Sequence, residues 1–246
     1  SPVVFCCPLS TGLCHQRHSP ESGGVPPPPG KSETNLTASQ SNGTTASVLA
    51  MNDEPLDITE FLKLVLECLE AAGVEYMIGG AIAEWAWGEP RATQDLDIVI
   101  NLPIKAVGRF SKELEKRNML VPVDIILDAM LEDRADIPLN AIHMYSGLKA
   151  DFYLMRDGDA LRQSAFQRRV MVDYGPPIGK VYVHSPEDLI LYKLMYLGLS
   201  GQPKHARDIA AILRAKKNQL DFGYIEEWIT QLGLGSVWKE MLDNIA

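Results

Sequence analysis

The chain has no apolar run approaching the roughly 20 residues that a bilayer-spanning helix needs, so no transmembrane helix is expected. Basic residues are in short supply: 23 Lys and Arg stand against 32 Asp and Glu. The resulting net charge of −9, with a pI near 5.1, argues against a broad nucleic-acid-binding surface. A local basic groove remains open. An acidic protein can still use a polyanionic nucleotide when bound cations offset the charge at the site.

Cysteine is scarce as well, with four in 246 residues. Cys6, Cys7 and Cys14 crowd the first fourteen positions and have no matching partners later in the chain. Cys68 falls on an apolar position of an expected helix, which reads as a buried, inert thiol. Neither a disulfide framework nor a zinc site is indicated, and a cytoplasmic location is expected. The opening Ser1-Pro-Val-Val-Phe-Cys-Cys has no basic region followed by a long apolar core, so it makes a poor signal peptide.

Composition divides the chain near residue 54. The first part holds the Pro26 to Pro29 run and a Ser/Thr/Asn/Gly-rich stretch from Ser32 to Ser47, with no sustained periodicity. Such a segment buries too little apolar surface to offset the entropy of ordering it, so residues 1–54 are expected to form a disordered tail. Met51 reads as the natural first residue. Asn35-Leu-Thr37 and Asn42-Gly-Thr44 match the glycosylation pattern by chance. The charges before Met51 cancel, which places the whole −9 on residues 51–246.

Beyond the tail, two further regions are expected, residues 55–184 and 185–246. A helix begins at Asp57, with Ile58, Phe61, Leu62, Val65, Cys68 and Leu69 at helical spacing and Gly73 as its stop. Val74 to Ile78 reads as a buried strand, Ala81 to Trp87 as a short helix, and Asp95 to Ile100 as an alternating strand. Helices are expected over Ile104–Arg117 and Ile126–Arg134. Strands are expected at Leu139–Tyr145 and Leu148–Leu154, joined at Ser146-Gly147. A helix near Asp159–Arg168 and short strands around Val170 and Val181 complete this region. Ser185-Pro-Glu-Asp188 then starts a helix, with Ser185 as N-cap and Pro186 at the first helical position. More helices run to the end. The expected class is α+β, a small mixed sheet flanked by helices and followed by a C-terminal helical bundle.

The chemistry concentrates at Asp95-Leu-Asp97. Residues two apart in a strand share a face, so both carboxylates point one way while Leu96, Ile98 and Ile100 point the other. Paired carboxylates at the edge of a core suit hard cations that neutralise phosphates. A chance Asp-x-Asp is the competing reading, as at Asp157-Gly-Asp159. Fifteen residues upstream, Gly79-Gly80 links a strand to a helix N-terminus, where bare backbone N–H groups can approach a phosphate. An ordinary tight turn is the alternative. Asp151, a lone acid on the face it shares with Lys149 and Tyr153, supplies a third carboxylate, or else a structural salt bridge.

Gly79-Gly80-Ala-Ile-Ala83, followed by Gly88-Glu-Pro-Arg91-Ala-Thr93-Gln-Asp95-Leu-Asp97-Ile-Val-Ile100, resembles the signature of the polymerase-beta-like nucleotidyltransferase superfamily. The resemblance covers roughly residues 57–215. With Ser185-Pro-Glu-Asp188-Leu-Ile-Leu-x-Lys193-Leu and Arg207-Asp208, it looks closest to the toxin-type enzymes of abortive-infection and toxin–antitoxin systems and related bacterial proteins. It implies a transferase that moves a nucleoside monophosphate from an NTP to a hydroxyl and releases pyrophosphate. Gly79 and Gly80 would hold the triphosphate. Asp95, Asp97 and Asp151 would bind two Mg²⁺ ions, with Asp151 also serving as general base.

Arg91 either contacts phosphate or forms a surface ion pair. Lys193, inside an apolar stretch, either contacts phosphate or reaches solvent. Arg207 and Asp208 are read as bracing the helices, and Trp85 and Trp87 as core. Arg168-Arg169 and Lys216-Lys217 are read as solvated, and His143, His184 and His205 as structural. The acceptor implied is a tRNA end or a protein, with a restraining antitoxin-like partner. A cationic drug is the alternative acceptor, and a non-catalytic nucleotide sensor the alternative function.

Overall fold

The computed structural model describes residues 56–245, so the expectations for residues 1–54, including the tail, the Met51 start, the three early cysteines and the Asn35 and Asn42 sequons, lie outside the described residues. The first helix, α1 (Ile58–Ala72), begins on a capping box in which the Asp57 carboxylate accepts from the Thr59 and Glu60 backbone N–H groups and Glu60 reaches back. Gly73 ends it at φ 68°, a left-handed turn that glycine adopts without a Cβ penalty. Strand β1 (Glu75–Ile78) then leads directly into α2 (Gly80–Trp87), and β2 (Asp95–Asn101) returns antiparallel to β1.

A 3-10 turn at Ile104–Ala106 opens α3 (Val107–Glu115), so the helix expected over Ile104–Arg117 is shorter and tighter at its start. Asn118 leaves the helical region at φ 58° and closes that end. The next helix, α4 (Val123–Leu131), starts three residues earlier than expected, because Pro122 supplies the extended residue before it. Only Ile126 of α4 is buried. Its apolar residues Val123, Ile125, Leu127 and Leu131 stay exposed, and that non-periodic run is why its boundaries read poorly.

Strands β3 (Leu139–Ile142) and β4 (Lys149–Leu154) form the expected hairpin, with β3 cut short to leave a single bridge between Met119 and His143. After α5 (Ala160–Gln167), capped by Asp159, come the antiparallel β5 (Val170–Asp173) and β6 (Lys180–Val183). The six strands make one mixed sheet in the order β3-β4-β2-β1-β6-β5, in which β2 runs parallel to β4 and β1 parallel to β6. Helices α6 (Pro186–Ser200), α7 (Pro203–Lys216), α8 (Phe222–Leu232) and α9 (Gly235–Ile245) come after the sheet. The architecture is the expected α+β class.

The two faces of the sheet differ, and that difference makes the cleft. Leu96, Ile98 and Ile100 of β2 are fully buried in the main core with Phe61 and Leu62 of α1 and Phe110 of α3. Phe110 meets Phe152 of β4 edge to face at 5.3 Å, a geometry worth about 0.5–1.5 kcal/mol beyond area burial. On the opposite face Met77 and Val99 form a small second cluster with Ala165 and Phe166 of α5. Helix α5 thus covers one end of that face, and Asp95 and Asp97 occupy the other.

The start of α6 is built as expected and then reinforced. Ser185 Oγ accepts from the Asp188 backbone N–H at 3.1 Å and donates to the Asp188 carboxylate at 2.7 Å, while Tyr224 of α8 donates to the same carboxylate at 2.6 Å. Asp188 is fully buried, so Ser185→Ala removes a cap and also strips one partner from a buried charge. A loss of about 1–3 kcal/mol is expected in urea denaturation. A cost near zero would show the cap to be redundant.

Candidate active site

Strand register assembles the site. In the parallel pairing of β2 and β4, Asp95 lies opposite Lys149 and Asp97 opposite Asp151, so three acids and one lysine lie on adjacent strands. The Gly79 backbone N–H donates to the Asp97 carbonyl at 2.7 Å, which fastens the loop between β1 and α2 across β2. Gly80 sits at φ 53°, and a Cβ placed there would lie 1.8 Å from Asp97 Oδ2. The second glycine is therefore required by two separate constraints, its backbone conformation and the carboxylate folded against it. At Gly79 a Cβ would meet the His184 ring at 2.9 Å.

The first N–H groups of α2 have no intrahelical partner, and the Gly79 N-cap position carries no side-chain cap, so the helix start is open to an anion. It faces a cleft of about 370 Å³ lined by Gly79, Gly80, Arg91, Asp95, Asp97 and Lys193 among others. The structure thus gathers every expected site residue except Asp151 around one cleft, and places Asp151 beside Asp97.

Crowding of like charge is the dominant electrostatic feature. Burial, with Asp151 and Asp95 adding to it, pushes the Asp97 carboxyl up to about 6. Hard oxygen donors that repel one another in this way suit a divalent cation of the magnesium type. Asp151 is already held on both oxygens: Asn140 of β3 donates to Oδ1 and Lys149 donates to Oδ2 at 2.8 Å. Lys149 Nζ also lies 3.7 Å from Asp95 Oδ1. Among the described residues no three His, Cys, Asp or Glu side chains are drawn up in metal-holding geometry. The Asp95, Asp97 and Asp151 set is brought together by the sheet but is not preassembled as a ligand cage.

Behind the glycines lies a charge network that sequence reasoning missed. The Lys193 ammonium pairs with Glu84 of α2 and, at 2.6 Å, with Asp208 of α7. Arg91 Nε lies 3.4 Å from Glu84 and 3.7 Å from Asp208. Burial pushes Glu84 up to about 7, with the Lys193 charge opposing it. Asp208 thus braces α7 against α2 and α6 as expected of a bracing residue, but its partners are Lys193 and Arg91 rather than its neighbour Arg207. Both alternatives weighed for Lys193 give way to this arrangement in one respect, since the ammonium neither reaches solvent nor stands free in the cleft. The signal for Glu84 was present: it is the lone acid of an otherwise apolar helix, Gly80 to Trp87.

The tryptophans, histidines and arginine pairs divide by burial. Trp87 Nε1 donates to the His184 carbonyl at 2.7 Å, and Trp85 packs near Tyr174, so both tryptophans serve the core. His184 is buried beside Gly79 because β6 runs parallel to β1; burial pushes its pKa down to about 3. Arg168 and Arg169 are not merely solvated. Arg168 pairs with Glu187 at 3.3 Å and stacks on Tyr224, and Arg169 pairs with Glu75 and stacks on Phe166. Cys68 is fully buried, and burial pushes its thiol up to about 12, an inert thiol as expected. Among the described residues no helix is long and apolar enough to cross a membrane.

The chain matches no protein-family model, and no curated protein matches it in sequence. Solved structures that resemble it in part include these three. One is the antibiotic-resistance factor ANT(2″)-Ia in solution, at 16% identity and a TM-score of 0.48, covering 76% of this chain and 99% of that one. A second is ANT(2″)-Ia in complex with adenylyl-2″-tobramycin, at 12% identity and a TM-score of 0.45, covering 76% and 98%. The third is an antigenic nucleotidyltransferase-like protein from Paracoccidioides brasiliensis, at 15% identity and a TM-score of 0.39, covering 74% and 91%.

Proposed function

We propose that this chain is a magnesium-dependent nucleotidyltransferase that moves a nucleoside monophosphate from an NTP to a hydroxyl acceptor and releases pyrophosphate. The observation that carries the reading is the seating of Gly80 on Asp97: an uncapped helix start and the carboxylate pair meet at one point of one cleft. A phosphate held at the N-terminus of α2 would lie against the ligands of its own counter-ion. Neither the glycines nor the acids alone would require that closeness.

Each residue then has a defined task. Gly79 and Gly80 leave the backbone N–H groups of α2 open to the triphosphate. Asp95 and Asp97 hold magnesium, which when bound neutralises phosphate charge and stabilises the leaving pyrophosphate. Asp151 keeps a lone pair on each oxygen beyond those used by Asn140 and Lys149, and from its place beside the cleft it would take the proton of an attacking hydroxyl that comes within hydrogen-bond reach past Asp97. Arg91, with its side chain 39% exposed, can turn toward phosphate. Lys193 acts from within its pairing to Glu84 and Asp208, fixing α6 and α7 against α2 and adding positive charge behind the phosphate loop.

The acceptor we propose is a hydroxyl on a tRNA end or a protein. Of the cations on the cleft wall, Arg91 and Lys193 are paired with Glu84 and Asp208 and Arg162 with Asp159, which leaves Lys204 to meet an acceptor, while the wall's acids, Asp95 and Asp97, are assigned to magnesium. A polycationic drug would find little free negative charge there. The test is to incubate the full chain with each α-labelled NTP and magnesium, offering bulk tRNA, lysate protein or cationic drugs. Label is expected in tRNA or protein and should fall at least ~100-fold with Asp95→Ala. Label confined to the drugs would overturn the acceptor, and undiminished transfer by Asp95→Ala would overturn the metal mechanism.

A further inference from the structure

We infer that Lys149 is a resident cation standing in the place of a second metal ion, so that this site works with one divalent ion rather than two. The inference rests on the nucleotidyltransferase reading and sharpens it. Its basis is the placement of Lys149 among the carboxylates. Lys149 lies opposite Asp95 in the β2–β4 register and two residues before Asp151 on the same face of β4. Its ammonium sits 2.8 Å from Asp151 Oδ2 and 3.7 Å from Asp95 Oδ1, bridging the two outer acids of the set. A cation that bridged Asp95 and Asp151 would need that space.

The surroundings make the position a built one. Asn140, opposite Asp151 in the β3–β4 register, donates to the other Asp151 oxygen and so fixes which oxygen faces Lys149. The Lys149 side chain is one-third exposed and Asp151 only 10% exposed, so the pair is partly screened from water and worth more than a surface ion pair. Asp97 differs, because no cation among the described residues lies within ion-pairing distance of it and it is the acid pressed against Gly80. That leaves Asp97 and Asp95 as the side chains that would hold a divalent ion beside a triphosphate bound at α2. Such an ion arrives most readily as the magnesium–NTP complex, since the nucleotide brings ligands that the protein side does not supply.

Counting ions tests this directly. The full chain is saturated with the α,β-methylene analogue of each NTP in turn, and protein-bound Mn²⁺ is measured by electron paramagnetic resonance. Wild type is expected to hold one Mn²⁺ per chain in the ternary complex. Lys149→Gln, which keeps a polar side chain one atom shorter and removes the charge, is expected to hold two. Without nucleotide, the same variant should bind Mn²⁺ at least tenfold more tightly, because a positive charge has left the site. Circular dichroism and the urea midpoint of Lys149→Gln establish that it folds, and Lys149→Met serves as the second variant. Two ions in wild type, or one ion in both folded variants with unchanged nucleotide-free affinity, would overturn the inference and leave the transferase reading intact. Failure of wild type to bind any of the four analogues would instead overturn the transferase reading itself, and with it the role of Lys149.

Discussion

Gly80→Ala is expected to abolish nucleotidyl transfer, with a loss of at least ~100-fold, and to cost the fold more than the about 1–2 kcal/mol that the left-handed backbone alone accounts for. The stability cost comes from placing an alanine at φ 53°, in the left-handed region. The functional cost has a different source. The new Cβ would stand 1.8 Å from Asp97 Oδ2, so the carboxylate must rotate away from the phosphate loop. The added methyl would also stand 2.7 Å from Asp97 Cγ and 2.9 Å from its Cβ, so rotation of the carboxylate alone does not relieve the contact and the strand residue itself must shift. Gly79→Ala makes the contrast: its φ of −116° suits any residue, and the added methyl presses on the buried His184 ring instead. Urea midpoints and transfer rates measured together for the two variants check this. Equal activity loss in both, in step with lost stability, would reduce the glycines to an ordinary turn.

Asp97→Asn is expected to lower transfer by about 10³-fold, some 4 kcal/mol of transition-state stabilisation, and at the same time to stabilise the metal-free protein. The second effect comes from the sign of the shift. The Asp97 pKa in the folded chain is raised to about 6, above its usual 3.8, chiefly by burial and then by Asp151 and Asp95. A carboxyl whose folded pKa is raised binds its proton more tightly in the native state. Its ionisation therefore costs nothing below about pH 4. The penalty grows as pH rises toward 6 and is fully present above it, amounting to about 3 kcal/mol for a shift of this size.

Asparagine carries no such penalty. In the presence of a chelator, Asp97→Asn should exceed wild type in melting temperature at pH 7.5 and lose most of that advantage by pH 4.5. Magnesium with NTP should narrow the gap at pH 7.5 by stabilising wild type alone. A variant less stable than wild type at pH 7.5 without metal would remove the electrostatic argument for the site. The pairing of lost activity with gained stability is what distinguishes a functional acid from a structural one.

How much of this was legible in the sequence depends on whether the signal is local. The α1 capping box, the Gly73 stop and the Ser185 cap are each written within a few residues, and each forms as read. Alternation along Asp95 to Ile100 correctly placed the acids on one face and Leu96, Ile98 and Ile100 on the other. Long-range pairing was not legible. Nothing in the order of residues says that β2 lies parallel to β4 in the register that sets Asp97 beside Asp151 and Asp95 beside Lys149. Lys149 was visible as a residue sharing the Asp151 face, but its contact with Asp95 depends on that register.

The same limit explains Lys193. Its place in an apolar helix was read as phosphate contact or a head in solvent, and the partners it has, Glu84 and Asp208, come from two other helices, one far upstream and one downstream. Helix α4 was expected, but its bounds lay three residues off at each end for another reason: its run of apolar residues has no helical period, and most of them remain exposed.

Bond cleavage is expected between the α- and β-phosphorus of an NTP held at Gly79-Gly80. Supplying the full chain and its acceptor with the same NTP labelled at the α or at the γ position tests it most directly. The expected result is α-label in the acceptor and γ-label in pyrophosphate, both dependent on magnesium and lost together in Asp97→Asn. Transfer of γ-label to the acceptor, or release of γ-label as inorganic phosphate with the α-label left in the diphosphate, would contradict it.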